Sequence, residues 1–237
     1  ERPLLALQTL ENLAYNQVCF GCKAFVGGPD AYLTRRRHLS LGSIGEQEDL
    51  GQLDHKCEDE GVLYTTFPCR KNCGQMFCSK ECETDTWSAH HCFLCTGDCD
   101  VDDVLVQYKR FCVESNEILL LVAEWWVAQH TSGDPTCYTD FAMNPWWDVV
   151  TADLVNQPGG FTGASTLQQQ LRQVCDEAAG LLNQALADTS IPPITALGIA
   201  LRVGACEQNA MGIHQRHPLC RDIFDQGLRH RRHAETV

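Results

Sequence analysis

The sequence predicts an α+β fold, predominantly α, in which a small cysteine-rich finger packs against a helical region and only a remnant of further β-structure remains. Three observations predict it. Cysteines stand in close pairs through the first hundred residues. Apolar residues recur at helical spacing through the second half. Gly and Pro clusters at 158–160 and 192–193 cut that half into separate helices.

The cysteines come first in the argument. Cys19-Phe-Gly-Cys22 is a C-x2-C pair, and Cys69-Arg-Lys-Asn-Cys73 is C-x3-C. Cys78-Ser-Lys-Glu-Cys82 is a second C-x3-C, and His91-Cys-Phe-Leu-Cys95 is H-x3-C. Two ligands this close can turn towards one ion. Eight ligands in four pairs are what two tetrahedral zinc sites need. Zinc favours thiolate and imidazole and asks only for a closed tetrahedral shell. A four-thiolate shell stays dianionic, and a three-thiolate, one-imidazole shell stays monoanionic. Neither leaves a position for water, so both ions are expected to be structural and coupled to folding. His90 competes with His91 for the imidazole position. His91 has the better distance from Cys95, and His90 the better distance from Trp87. The chain holds 15 cysteines, an odd number. Cys57, Cys92 and Cys99 do not fit the paired spacing and read as bystanders. Cys112, Cys137, Cys175, Cys206 and Cys220 read as buried free thiols.

The helical half follows. Ser115-Asn116 precede an apolar run through Trp125-Trp126 to His130, a capped helix. A short helix is expected around Trp146-Trp147. Ser165 is expected to cap a helix from Thr166 to about Ala187, with Leu167, Leu171, Val174, Ala178, Leu181, Leu182 and Ala185 on its apolar face. Pro192-Pro193 are expected to start a further helix reaching about Val203. The tryptophan pairs read as core anchors between helices. Residues 1–18 thus form a lead-in segment, and 19–99 a finger with an inserted polar loop at 27–60. Residues 100–203 form the helical region, and 204–237 a short further segment with a basic, frayed tail.

Charge and hydropathy exclude some functions. The chain has 18 Lys and Arg against 31 Asp and Glu, a net charge of −13. That balance argues against nucleic acid and suits basic protein partners. The basic runs Arg35–His38 and Arg229–His233 read as solvated loops in such a chain. No stretch is long enough to span a bilayer; the best apolar run, Ile118–Ala128, contains Glu124. There is no Gly-x-Ser-x-Gly elbow and no phosphate loop closing on Gly-Lys-Ser/Thr, so hydrolase chemistry finds no support.

Phe77-Cys78-Ser79-Lys80-Glu81-Cys82, followed by Trp87 and by His91 to Cys95, resembles the MYND finger. In that family the pairs interleave, the first with the third and the second with the fourth. The resemblance therefore implies one zinc on Cys19, Cys22, Cys78 and Cys82, and another on Cys69, Cys73, His91 and Cys95. Spacing alone leaves the pairing open. The three residues between Cys69 and Cys73 depart from the two that many members have. The flanks narrow the resemblance. Glu1-Arg-Pro-Leu-Leu-Ala-Leu-Gln8 looks like the strand leading into the finger in SET-and-MYND-domain protein-lysine methyltransferases. Closest is the type with a long gap between its first two cysteine pairs. Ala200–Ile213 is similar to the segment where that family's helical insert returns to the SET fold.

That resemblance implies S-adenosylmethionine as cofactor, a lysine-bearing protein as substrate, and a cytoplasmic or nuclear setting. It places Asn209, Ala210 and Met211 at one edge of the cofactor pocket; the bland reading of Asn209 is a turn cap. The family's glycine-rich cofactor turn, its Asn-His-Ser-Cys segment and its catalytic tyrosine have no counterparts here. No catalytic residue is therefore predicted. The chain, which starts at Glu1, is expected to be part of something longer and inactive alone. The rival reading is a non-catalytic MYND adaptor that binds protein segments.

Overall fold

The computed structural model describes residues 6–9, 17–26, 66–131, 141, 143–155 and 163–209. The 27–60 insertion, both basic runs, Cys57, Cys137, Cys220, Ala210 and Met211 lie outside the described residues. The described part is mostly helical with one small sheet. In chain order come β1 (Phe67–Pro68), β2 (Met76–Phe77), α1 (Lys80–Thr86), a π-helical turn (Trp87–His91) and α2 (Cys92–Leu94). Then follow α3 (Val104–Ser115), α4 (Ile118–Thr131), α5 (Trp146–Val155), α6 (Ala164–Ala185) and α7 (Ala196–Asn209).

Strands β1 and β2 pair antiparallel, with Phe67 opposite Phe77. An isolated antiparallel bridge joins Val18 to Phe25. Both belong to the finger. Residues 204–209, expected to turn back towards β-structure, are the last turns of α7 instead.

The caps explain where the helices begin. Asp103 closes the acidic patch of residues 98–103, and its carboxylate accepts from the Leu105 N–H at 2.7 Å. That patch is thus the N-terminus of a helix, α3, that apolar spacing had not marked. Asn116 caps α4 as expected, accepting from the Ile118 N–H at 3.0 Å. Helix α6 begins earlier than expected, at Ala164, with Gly163 before it and no side-chain cap. Ser165 is no cap, because a capping oxygen has to precede the first helical residue. Helix α7 begins later and ends later than expected. Pro192 and Pro193 do not start it. They form a connector clamped by Asn183, which donates to the Ile194 carbonyl and accepts from the Ile194 N–H, each at 2.8 Å. Thr195 is where the helix starts, its hydroxyl accepting from the Gly198 N–H at 3.0 Å.

Helix α6 is the centre of the helical body and packs against α3, α5 and α7. Its Cys175, Ala178 and Leu182 face Leu105, Tyr108 and Cys112 of α3, Trp146 and Trp147 of α5, and Ile199, Ala200 and Val203 of α7 in one apolar cluster. Each large side chain fully buried in it contributes about 1.5–3 kcal/mol. Tyr108 has almost no exposed surface, and its hydroxyl donates to the Leu119 carbonyl at 2.7 Å, so the buried phenol is satisfied. Cys112 and Cys175 are fully buried and behave as small apolar residues, as expected. Among the tryptophans, Trp125, Trp146 and Trp147 are buried, whereas Trp126 is half-exposed and donates to the Pro192 carbonyl at 2.8 Å.

Helix α4 joins the two halves. It packs against α7 on one side and against the π-turn of the finger on another, which is why apolar residues run almost around it. No helix of the described residues is long and apolar enough to cross a membrane.

Candidate metal centre

Two tight knuckles present the first two cysteine pairs. In the first, the Lys23 N–H donates to the Cys19 carbonyl at 2.9 Å, and the Cys22 N–H lies 3.5 Å from Cys19 Sγ. In the second, the Asn72 N–H donates to the Cys69 carbonyl at 2.8 Å, and the Lys71 N–H lies 3.5 Å from Cys69 Sγ. Such N–H···S contacts favour the thiolate. Each knuckle needs a left-handed residue: Lys23 has φ 60° and Asn72 has φ 53°. That residue follows the second cysteine in the first knuckle and precedes it in the second. The extra residue of Cys69-x3-Cys73 is accommodated there.

Of the third and fourth pairs, Cys82 and His91 lie in the continuous helical run α1–π-turn–α2, and Cys78 and Cys95 flank its two ends. Ser79 caps it, its hydroxyl accepting from the Cys82 N–H at 3.1 Å. Cys82 and His91 are nine positions apart. Cys82 turns to one group of ligand atoms and His91 to the other. One helix can thereby serve a site on either side.

The ligand atoms converge in two groups. Cys19, Cys22, Cys78 and Cys82 form one, and Cys69, Cys73, His91 and Cys95 the other, with the ligand atoms of each within 4.8 Å of one another. In the first, Cys19 and Cys82 Sγ lie 3.4 Å apart, and Cys22 and Cys78 Sγ 3.5 Å apart. In the second, His91 Nε2 lies 3.3 Å from both Cys69 and Cys73 Sγ, and Cys69 and Cys95 Sγ lie 3.7 Å apart. A tetrahedron with Zn–S of about 2.3 Å has edges of about 3.8 Å. The closest pairs are a little shorter than such edges and no pair exceeds 4.8 Å, so each group could hold a metal ion, compatible with zinc. Between the two histidines that spacing left open, it is His91 whose nitrogen joins the thiols. Cys92 and Cys99 stand outside both groups; Cys99 Sγ faces the Cys95 carbonyl at 3.8 Å.

The protonation states suit this chemistry. Burial holds the His91 imidazole down at about 4, so it is neutral at pH 7 with a lone pair to give. Burial disfavours the Cys19 thiolate, but N–H and S–H donors around it outweigh that and hold it at about 7. Burial pushes Cys78 up to about 11 and Cys73 up to about 12. An ion entering such a shell has to displace protons from these thiols, so metal affinity rises with pH.

Residues beyond the ligands tie the sites together. Glu83 is fully buried beside Cys82. It accepts from Arg70 Nε at 2.6 Å and from Arg70 Nη2 at 2.7 Å, with Lys80 Nζ at 3.1 Å. These bonds, Arg70 first, hold its carboxyl down at about 2. Arg70 follows Cys69 of one site and Glu83 follows Cys82 of the other, so a bidentate ion pair staples the two shells. The Arg70 guanidinium also lies 4.6 Å from the centre of the Trp87 ring. Phe20, inside the first knuckle, packs on the His91 ring of the second site at 5.1 Å. Sequence reading found neither Arg70 nor Glu83; their only signal is adjacency to a ligand.

The finger docks on α4 through polar contacts. Thr131 donates to the Ala89 carbonyl of the π-turn. Lys23 Nζ donates to the Phe20 carbonyl at 2.7 Å and feels the charge of Glu124. Of the three residues expected at a cofactor pocket, only Asn209 is described. It lies exposed at the end of α7, its amide donating to the Ala205 carbonyl at 2.7 Å.

No protein-family model, curated protein or solved structure matched the chain.

Proposed function

We propose that this chain is the zinc-finger and helical portion of a SET-and-MYND-type, S-adenosylmethionine-dependent protein-lysine methyltransferase. The observation that carries the reading is the interleaving of the four ligand pairs, first with third and second with fourth. Spacing left that pairing undetermined, and the MYND resemblance implied it. A helical body following the finger agrees with the same resemblance.

In this reading the two ions are structural. Eight protein ligands close both shells, so neither ion has a position for substrate. Arg70 and Glu83 keep the shells in fixed relation, and α4 transmits that order to the helical body. S-adenosylmethionine would supply an electrophilic sulfonium methyl to a neutral lysine amine aligned with it. This chain's contribution to that cofactor is the segment from Asn209 to Met211. The substrate is a lysine-bearing protein, in keeping with the net negative charge of the chain.

The test is methyl transfer from isotopically labelled S-adenosylmethionine to protein lysine by the longest zinc-loaded product of the gene. Label on lysine, reduced in Asn209→Ala, is the expected result. No label, combined with zinc-dependent capture of a polypeptide segment by the finger, would replace this reading with the non-catalytic adaptor.

A further inference from the structure

Away from the finger, Arg202 of α7 is only 8% exposed and pairs with no carboxylate among the described residues. Its Nη1 donates to the Gly198 carbonyl at 3.1 Å and its Nη2 to Gln129 Oε1 at 2.6 Å. Neither acceptor is charged. Its Nε is buried with no acceptor among the described residues. The guanidinium carbon lies 4.4 Å from the centre of the Trp126 ring and 5.7 Å from that of Trp125. Trp125 is itself only 3% exposed, and its indole Nε1 is also buried without an acceptor among the described residues.

Two unfilled donors on neighbouring side chains, one of them charged, are an unusual combination. Buried polar groups are nearly always hydrogen-bonded, and buried charges nearly always paired. Cation–π contact with two indoles offsets part of the charge but fills neither N–H. Burial alone draws the guanidinium down to about 10, and no acidic neighbour among the described residues opposes it. The matching chemistry is an anion that brings two acceptor oxygens and one negative charge, which is a carboxylate. The surroundings are apolar. Trp125 packs edge-on against Phe141 at 5.3 Å, and Ala128, Ala205, Met143 and Cys206 complete that cluster.

We propose that Arg202 and Trp125 form a binding site for a carboxylate carried on an apolar stem. The carboxylate takes the free N–H groups of both residues, and the stem lies against the indole rings. The site uses no zinc ligand and none of the residues expected at the cofactor pocket, so it stands or falls independently of the methyltransferase reading.

The two donors can be observed directly, as the Arg202 Nε–H and Trp125 indole N–H signals in proton–nitrogen NMR spectra of the zinc-loaded chain. Titration with butyrate is expected to move both signals downfield and to saturate, while butyramide and inorganic phosphate do neither. Trp125→Phe, which keeps an aromatic ring and removes the donor, is expected to weaken butyrate binding about tenfold. Arg202→Gln is expected to abolish it. Acetyl-leucyl-leucine with a free carboxyl terminus, compared with its amide, distinguishes the source. Tighter binding than butyrate, lost in the amide, assigns the site to a polypeptide terminus, and the reverse order assigns it to a free acid. An unmoved pair of signals, an equal response to butyramide, or a response that survives Arg202→Gln would overturn the proposal.

Discussion

Glu83 has no exposed surface, while its partner Arg70 sits at the rim with about a third of its side chain open to water. Water therefore screens one side of the ion pair, and its contribution is well below that of a fully enclosed pair. Glu83→Gln keeps the shape and removes the charge; it should lower the stability of the zinc-loaded protein by about 1–2 kcal/mol in urea titration. Glu124 of α4 behaves in the opposite sense. Burial pushes its carboxyl up to about 7 from an ordinary 4.5, against the pull of Lys23 and Lys109. Between those values the folded chain keeps a proton that the unfolded chain has released. The stability this supports is full below about pH 4.5 and is lost as pH rises through about 7. Glu124→Gln is neutral throughout, so it should gain on the parent by about 1–3 kcal/mol as pH rises from about 5.5 to 8. A difference that does not change with pH would show that Glu124 is solvated. Ligand cysteines were legible because chelation fixes their spacing within a few residues. Glu83 and Glu124 were not, because Arg70 and Lys23 reach them only once the knuckles fold, and adjacency to a ligand is a weak mark of such a pairing.

Helices with strong amphipathic spacing, such as α6, or with a capping Asn, such as α4, could be read from the sequence to within a few residues. Helix α3 is hard to see in the sequence because its capping Asp103 sits inside an acidic run that resembles a loop. The start of α7 was misplaced because prolines commonly open helices; here Asn183 and Trp126 take up the backbone groups around them, and they become a connector. The far end of α7 depends on a contact that no periodicity reveals. A Cβ on Gly204 would sit 1.8 Å from the Asn144 carbonyl oxygen, just ahead of α5. Glycine is what lets these elements close. Gly204→Ala should therefore force α7 away from the Asn144 backbone and destabilise the protein by about 1–3 kcal/mol. Gly180 of α6 has nothing within 4 Å of the same position. Gly180→Ala should stabilise by about 0.5–1 kcal/mol through helix propensity alone. Thermal unfolding of the two variants side by side checks both signs; a loss at Gly180 would mean that its exposed helix face is covered.

At the scale of the molecule, two apolar clusters of different kinds meet at the finger's last turns. The helical cluster is built from aliphatic and aromatic side chains of α3 to α7 and needs no metal. The finger cluster has six buried members, and four of them, Cys19, Cys69, Cys82 and Cys95, belong to the two groups that could hold metal ions. Remove the ions and that small core becomes a set of crowded thiols around Val26 and Phe77, too little apolar surface to order the chain. Leu94 and Phe93 of α2 belong instead to the helical cluster, so the boundary falls within the helical run that carries His91. Chelation should then unfold the chain in part. Amides of residues 17–26 and 66–90 should lose their protection from hydrogen exchange, while those of α3, α6 and α7 keep theirs. Most of the far-ultraviolet helical signal should survive, and restoring zinc at neutral pH should return the finger. If chelation instead melts everything in one transition, α4 must depend on the finger for its place. The docking contacts at Thr131, Lys23 and Glu124 would then carry far more of the fold than a few polar contacts imply.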